Sequence, residues 1–284
     1  MKKMTQRIAG GLGNQLFEYA FAYSLAKEQD AELVLDLSNY TEGAFRDLGL
    51  DYFKLDSYDS FRLKLGNSFL NKLYRRFRIG MSTKVLNEYD ISPEMDWRSM
   101  NNVYLTGVFA SHKYFEKYED DIRRQYQLNI KLSEEARSRI SDIKTKKNSV
   151  AVHIRRGDYV SVNRSTLSME YFENAMKKME KLLGSCEFVF FCEDITWVQN
   201  WFGDKGNYTY MNPGVTDIEE FYIMQQCENI ITADSTFSWW AAWLNRNDKK
   251  TVIVPRSGNQ DYYPNDWIQL EAKAVNVDEH KEYA

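Results

Sequence analysis

The chain has 284 residues, 43% hydrophobic and 27% charged, a globular balance with material for one large or two ordinary domains. Lys and Arg number 37 against 41 Asp and Glu, a net charge of −4 that speaks against a dedicated nucleic-acid partner. Histidines are scattered, no C-x-x-C occurs, and Cys186, Cys192 and Cys227 are odd in number and apolar in context, so a zinc enzyme and a disulfide scaffold are both disfavoured.

Residues 6–9 read as a short strand running into Gly10-Gly11-Leu12-Gly13, and Asn14 is placed to cap a helix reaching to about residue 29. Between Leu16 and Ala26 only Glu18 and Ser24 are polar besides tyrosine hydroxyls, so that helix belongs in a core. Leu33-Val34-Leu35 forms a second buried strand, ended by Asp36. Residues 41–98 show little regular pattern. A strand is expected at 103–108, a helical region to residue 128, and a helix opened by Ser133-Glu134-Glu135. The polar run 144–149 is the candidate linker, dividing the chain into domains 1–147 and 148–284. Beyond it, strands at 150–154, 188–192, 208–211, 230–232 and 252–254 alternate with helices at 168–183, 195–202, 216–227 and 235–246. That alternation is the mark of a parallel sheet. The expected fold is α/β, with two Rossmann-like domains facing a cleft.

The basic start of the chain leads into glycine-rich sequence and not into a signal-peptide core, and no stretch of ~18 residues lacks charge. A cytoplasmic protein without a membrane span is the expectation. The sequons at Asn163 and Asn207 are read as chance. Lys72-Leu73-Tyr74-Arg75-Arg76-Phe77-Arg78 is basic with interleaved aromatics, suited either to a solvated face or to peripheral contact with an anionic membrane.

Three segments could carry chemistry. The strand ending in His153 runs straight into Arg155-Arg156-Gly157-Asp158-Tyr159. Two guanidiniums at the carboxyl edge of a parallel sheet suit a phosphate or diphosphate, and Asp158 could orient one of them. A structural ion-pair knot is the other reading. Next, Asp234-Ser235-Thr236-Phe237-Ser238-Trp239-Trp240 opens a helix in which Phe237, Trp240, Ala241 and Leu244 share a face and Trp239 and Trp243 cover another. Its amino end offers N–H groups to an anion, through Ser235 and Thr236, while the tryptophans read as packing. Third, Gly11-x-Gly13 with Asp36 hints at a dinucleotide, but Leu16 stands where the third glycine belongs. Asn14 and Gln15 are alternatively placed to bond a substrate. Cys192-Glu193-Asp194 ends a strand with two carboxylates, fit to hold a base or ribose hydroxyl or simply to cap a helix. No strand ends in the Asp-x-Asp pair that holds a divalent ion with a nucleotide, which favours a metal-independent reaction.

Taken together, Gly10-Gly11-Leu12-Gly13-Asn14-Gln15-Leu16-Phe17, His153-x-Arg155-Arg156-Gly157-Asp158-Tyr159 and Ser235-Thr236-Phe237-Ser238-Trp239-Trp240 resemble the bacterial-type α1,2-fucosyltransferases. The segment 104–115 also resembles a family stretch, departing at Val108 and Ala110; Asp234 replaces a common Asn, and Cys192-Glu193-Asp194 varies a Ser-Asp-Asp-like run. The resemblance implies a GT-B-like fold and transfer of L-fucose from GDP-β-L-fucose to the 2-hydroxyl of a terminal β-galactoside. It further implies inversion, no cofactor and no obligatory metal. The C-terminal domain would bind GDP-fucose and the N-terminal domain would serve the acceptor. In those terms Arg155, Arg156 and Asp158 are the catalytic candidates. Asn14, His153, Arg155, Arg156, Asp194, Ser235, Thr236 and Phe237 are the donor-binding candidates. Asp158, Glu18 and Asp234 compete as general base. A lipid-linked or oligosaccharide acceptor would place the enzyme at the inner face of a bacterial membrane. A non-catalytic glycan- or nucleotide-binding protein, and an NAD-dependent oxidoreductase resting on Gly11, Gly13 and Asp36, are the alternatives.

Overall fold

Strand β1 (Lys3–Arg7) buries Met4 together with two polar residues, Thr5 and Gln6, which is why an apolar pattern placed the strand too late. The computed structural model describes residues 2–41, 46–63, 73, 77, 83–91, 95–96, 99–156, 166–259 and 261–275. The chain divides into two compact units, Met1–Ile130 and Lys131–Ala284.

In the first unit β1 joins β2 (Glu32–Asp36), β3 (Asp59–Phe61), β4 (Thr83–Asn87) and β5 (Asn102–Thr106) in a five-stranded sheet ordered β3-β2-β1-β5-β4. Every pairing is parallel. Strands β3 and β4 fall in the stretch without regular pattern because both lie at sheet edges; in β4 only Leu86 is buried. Helix α1 (Leu12–Glu28) is buried nearly all round, with Leu16, Phe17, Tyr19, Ala20 and Ala22 fully covered. It starts three residues earlier than expected, with Gly11 and not Asn14 as its cap. Gly10 makes the turn at φ 76, and a Cβ there would meet the Asn14 amide at 2.9 Å. The helical region after β5 resolves into short 3-10 turns and α2 (Glu119–Gln125).

The second unit opens with α3 (Glu134–Thr145), capped by Ser133, whose hydroxyl accepts the Ala136 N–H at 3.1 Å. Glu219 accepts the Ser133 N–H at 2.6 Å, and backbone bonds from Ser133 and Thr216 hold that carboxyl down to about 2. Those bonds tie α3 to the second unit, so the polar run at 144–149 ends the helix and enters β6 instead of linking domains. Then follow β6 (Ser149–His153), β7 (Thr166–Leu167), α4 (Met169–Leu183), β8 (Glu187–Phe191), α5 (Ile195–Phe202), β9 (Tyr208–Tyr210), α6 (Asp217–Met224), β10 (Asn229–Ile231), α7 (Thr236–Leu244), β11 (Val252–Pro255), β12 (Ile268–Leu270) and β13 (Ala274–Val275). Six strands form a parallel sheet ordered β12-β11-β10-β6-β8-β9. Counted from β6 this is third, second, first, fourth, fifth, sixth, the doubly wound Rossmann order.

Helix α4 lays Phe172, Ala175, Met176 and Met179, at i, i+3, i+4 and i+7, into a core shared with Phe188 and Phe190. Each such large apolar side chain contributes ~1.5–3 kcal/mol on burial. On α7, Trp239, Trp240 and Trp243 are buried, and the Trp239 indole donates to the Tyr262 carbonyl at 3.1 Å. Those rings hold the helix in place, as the packing reading required.

Candidate active site

The strand order of the second sheet reverses between β6 and β10, and ligands of open parallel sheets bind beyond the carboxyl ends of the strands at such a reversal. Register decides which side chains meet there. Ile231 pairs with Val152, so Thr232 comes level with His153. On the other side His153 pairs with Phe191 and the Ile154 N–H donates to the Phe191 carbonyl at 2.9 Å, which brings Glu193 level with Arg155.

The two arginines are held in opposite ways. Arg155 donates from Nη1 to the Glu193 carboxylate, at side-chain exposures of 22% and 42%. Arg156 is only 8% exposed, and its Nε and Nη1 have no hydrogen-bond partner among the described residues. Its guanidinium carbon lies 3.6 Å from the centroid of the Trp197 ring. Burial pushes the Arg156 pKa down. The Asp194 charge offsets part of that burial without a hydrogen bond to it, and an incoming anion that bonds the guanidinium recovers more.

Two more buried polar atoms at this edge lack partners among the described residues, His153 Nδ1 and Thr232 Oγ1. Desolvation, helped by the Arg155 charge, pushes the His153 imidazole down to about 3, so it is neutral at pH 7. Its ring sits 5.8 Å from that of Phe237, centroid to centroid. Ser235 caps α7, its hydroxyl accepting the Phe237 N–H at 3.3 Å, and Thr236 is half-buried in the first turn beside it. His153, Arg155, Arg156, Ser235, Thr236 and Phe237 therefore come together on two adjacent strand ends. Asp194 caps α5 by accepting the Trp197 N–H at 3.3 Å, the helix-cap alternative of the sequence reading. Asp158 lies outside the described residues.

Asn14 belongs to the first unit, at the start of α1. Nearby, Glu18 is 2% exposed, accepts the Ala9 N–H at 2.8 Å, and has its pKa raised well above the usual value by burial. Asp36 is fully buried and accepts the Ser38 N–H at 3.0 Å and the Tyr104 hydroxyl at 2.6 Å. Its carboxylate is consumed within the unit and is not presented to a ribose, which removes the main support for a dinucleotide.

Sequence reasoning passed over Trp197, Thr232 and Glu220. Trp197 and Thr232 look like ordinary helix and strand residues, and Glu220 like part of a solvated acidic turn. In the fold, half-buried Glu220 is pushed up to about 7, by burial first and then by Glu193 and Asp217, against the pull of Arg139 and Arg155. Among the described residues no three His, Cys, Asp or Glu side chains gather as a metal site, and no helix is long and apolar enough to cross a membrane.

Two Rossmann-type units, each a parallel sheet with a strand reversal, make up a fold of the GT-B type. The sequence profile of Glycosyl transferase family 11 matches residues 3–271, and the chain belongs to that family. It is 28% identical over 297 residues to an alpha-1,2-colitosyltransferase of Escherichia coli, covering 95% of this chain and 100% of that protein. The O-antigen biosynthesis glycosyltransferase WbnK of Escherichia coli is 29% identical over 280 residues, 88% of this chain and 92% of its own. A galactoside alpha-(1,2)-fucosyltransferase 2 of Oryctolagus cuniculus is 26% identical over 254 residues, 84% of this chain and 66% of its own. Among solved structures, fucosyltransferase NodZ from Bradyrhizobium superposes with a TM-score of 0.55 at 15% identity, covering 97% of this chain and 98% of that one, a likeness of fold.

Proposed function

We propose that the protein transfers L-fucose from GDP-β-L-fucose to the 2-hydroxyl of a terminal β-galactoside, inverting the anomeric centre to give an α1,2-fucoside. The observation that carries the reading is Arg156: a buried guanidinium at the strand reversal whose Nε and Nη1 lack hydrogen-bond partners among the described residues, as do His153 Nδ1 and Thr232 Oγ1 beside it. Family membership and the α1,2 linkage in the names of the relatives support it.

The acceptor oxygen attacks C1 of the sugar from the face opposite the diphosphate, and the bond from C1 to the phosphate oxygen breaks. Negative charge builds on the departing GDP. Arg156 and the first N–H groups of α7 are suited to receive it, with hydrogen bonds to charged groups worth ~1.5–3 kcal/mol each. Arg155, tethered to Glu193, adds N–H donors at the same edge. The hydroxyl proton leaves to a carboxylate, with Asp158 and Asp234 as the candidates. No metal is required for any step of this scheme.

A colitosyl donor is the second reading, favoured by the Escherichia coli colitosyltransferase relative. Colitose is fucose without its 3-hydroxyl, so the same site accommodates either. The deciding experiment incubates the protein with GDP-fucose or GDP-colitose and a panel of β-galactosides beginning with lactose, in EDTA. Fucosylated product in EDTA is expected. Product from GDP-colitose alone reassigns the donor, and no product from any pair sinks the assignment.

The acceptor is taken to be an oligosaccharide or a lipid-linked glycan, handled in the cytoplasm at the membrane face. Leu73 and Phe77, exposed by 55% and 81% within a basic stretch, support such peripheral contact. Co-flotation with anionic but not neutral vesicles is the expected result.

A further inference from the structure

We infer that Trp197 is the positioning residue of the diphosphate site, acting through Arg156; the inference rests on reading that edge as the GDP site. Arg155 is held by a carboxylate, which steadies the side chain but cancels its charge. Arg156 is held by a ring. The Trp197 π face orients the guanidinium and offsets part of its desolvation, yet carries no net charge. A guanidinium stacked on a ring does not spend its in-plane N–H groups on that ring, and here the buried Nε and Nη1 have no partner among the described residues. The arrangement thus holds a cationic guanidinium in a fixed plane with N–H groups unspent, ready for a phosphate.

Trp197 is itself held from two sides. Its N–H donates to Asp194, the cap of α5, at 3.3 Å. Its ring meets Trp201 at 5.6 Å between centroids, and the Trp201 indole donates to Glu173 of α4 at 3.1 Å. A row of contacts therefore runs from α4 through α5 to Arg156, none of which a substrate needs to touch. Asp194 acquires a part in donor binding without meeting the donor, because it fixes the first turn that carries Trp197.

The test measures GDP affinity by calorimetry for Trp197→Leu and Trp197→Phe, each in the wild-type and the Arg156→Lys backgrounds. A desolvated cation–π contact predicts about tenfold weaker GDP binding for Trp197→Leu and recovery to within about threefold for Trp197→Phe. Because the effect passes through Arg156, Trp197→Leu costs less than about twofold once Arg156 is replaced by lysine. Thermal melts by circular dichroism check folding, and Trp197→Met is the second variant without a ring if Trp197→Leu does not fold. Wild-type affinity in the variant without a ring, or an equal loss in both backgrounds, overturns the inference. Inorganic pyrophosphate serves as a second probe. Binding of pyrophosphate without GDP sinks the guanine-nucleotide reading, and the same cycle run on pyrophosphate still judges Trp197. Binding of neither overturns both.

Discussion

At the carboxyl end of β1 the polar groups of the first unit close on one another. Glu18 accepts the Ala9 N–H, and Glu88 accepts those of Val108 and Phe109 at 2.9 and 3.2 Å, steadying Phe109 at a strained φ of 53. Gln15 donates to the carbonyls of Gly10 and Asp47 and accepts the Gly49 N–H. On β1, Thr5 Oγ1 and Gln6 Oε1 are buried atoms left without partners among the described residues. At the carboxyl end of β6 the second unit does the reverse, leaving His153 Nδ1, Thr232 Oγ1 and two nitrogens of Arg156 buried without partners. Both edges sit at the reversal of a parallel sheet, yet one is acidic with its carboxylates bonded by its own backbone, while the other is basic with guanidinium nitrogens left unbonded among the described residues. The difference teaches that sheet topology supplies a place for a ligand, and unsatisfied buried groups show which place is kept for an anion.

The comparison breaks most visibly at Arg156. Arg156→Ala is expected to lower turnover by ~10²–10³, the loss typical of a donor that serves the transition state. The same change should leave thermal stability intact or raised, since it removes a buried charge with two unbonded nitrogens. A variant with wild-type turnover, or one that melts far below wild type, would falsify this account of the edge.

The first unit should respond in the opposite sense. Glu18→Ala leaves the Ala9 N–H without its partner and is expected to cost ~1–3 kcal/mol of stability, read by chemical denaturation, with GDP affinity unchanged. Glu18→Gln keeps an acceptor and should recover most of the loss. Burial raises the Glu18 pKa above its usual 4.5, so its proton-linked contribution is full below 4.5 and fades as pH rises through the folded value. Glu18→Gln should flatten that decline, and an unchanged pH dependence of stability would remove Glu18 as its source.

A smaller effect separates the neighbouring arginines. Arg155→Ala gives up a partly exposed pair with Glu193, so stability should change by less than about 1 kcal/mol. Turnover should fall by clearly less than in Arg156→Ala; equal losses would show that the tethered arginine carries as much of the chemistry as the stacked one. Smallest is Glu220, pushed up to about 7 from 4.5. Its contribution to stability is present below 4.5 and lost as pH climbs through about 7, and Glu220→Gln should remove that part of the slope. A slope identical to wild type would assign it elsewhere.

Much of the second unit was legible in advance because its signals are local. Strands β6, β8, β9, β10 and β11 and helices α4 to α7 announce themselves as apolar runs or faces separated by turns, and each lies within a few residues of its expected place. Strands β3 and β4 were not legible. They are edge strands whose partners, not their own side chains, make them strands. For the same reason the polar run before β6 passed for a linker, although Glu219 and Ser133 bind α3 into the unit that follows.

By itself the amino-acid order determined the alternating α/β plan, the carrier segments at His153–Arg156 and Ser235–Phe237, and the family, since these depend on spacing and residue type along a continuous stretch. Tertiary structure alone decided what each group is free to do. Register set Glu193 against Arg155 and gave Trp197 to Arg156, it closed Asp36 onto Ser38 and Tyr104, and it left Thr232 without a partner beside His153. Satisfaction and charge state are properties of neighbours brought together by pairing across the sheet, and a linear pattern of residue types does not contain them.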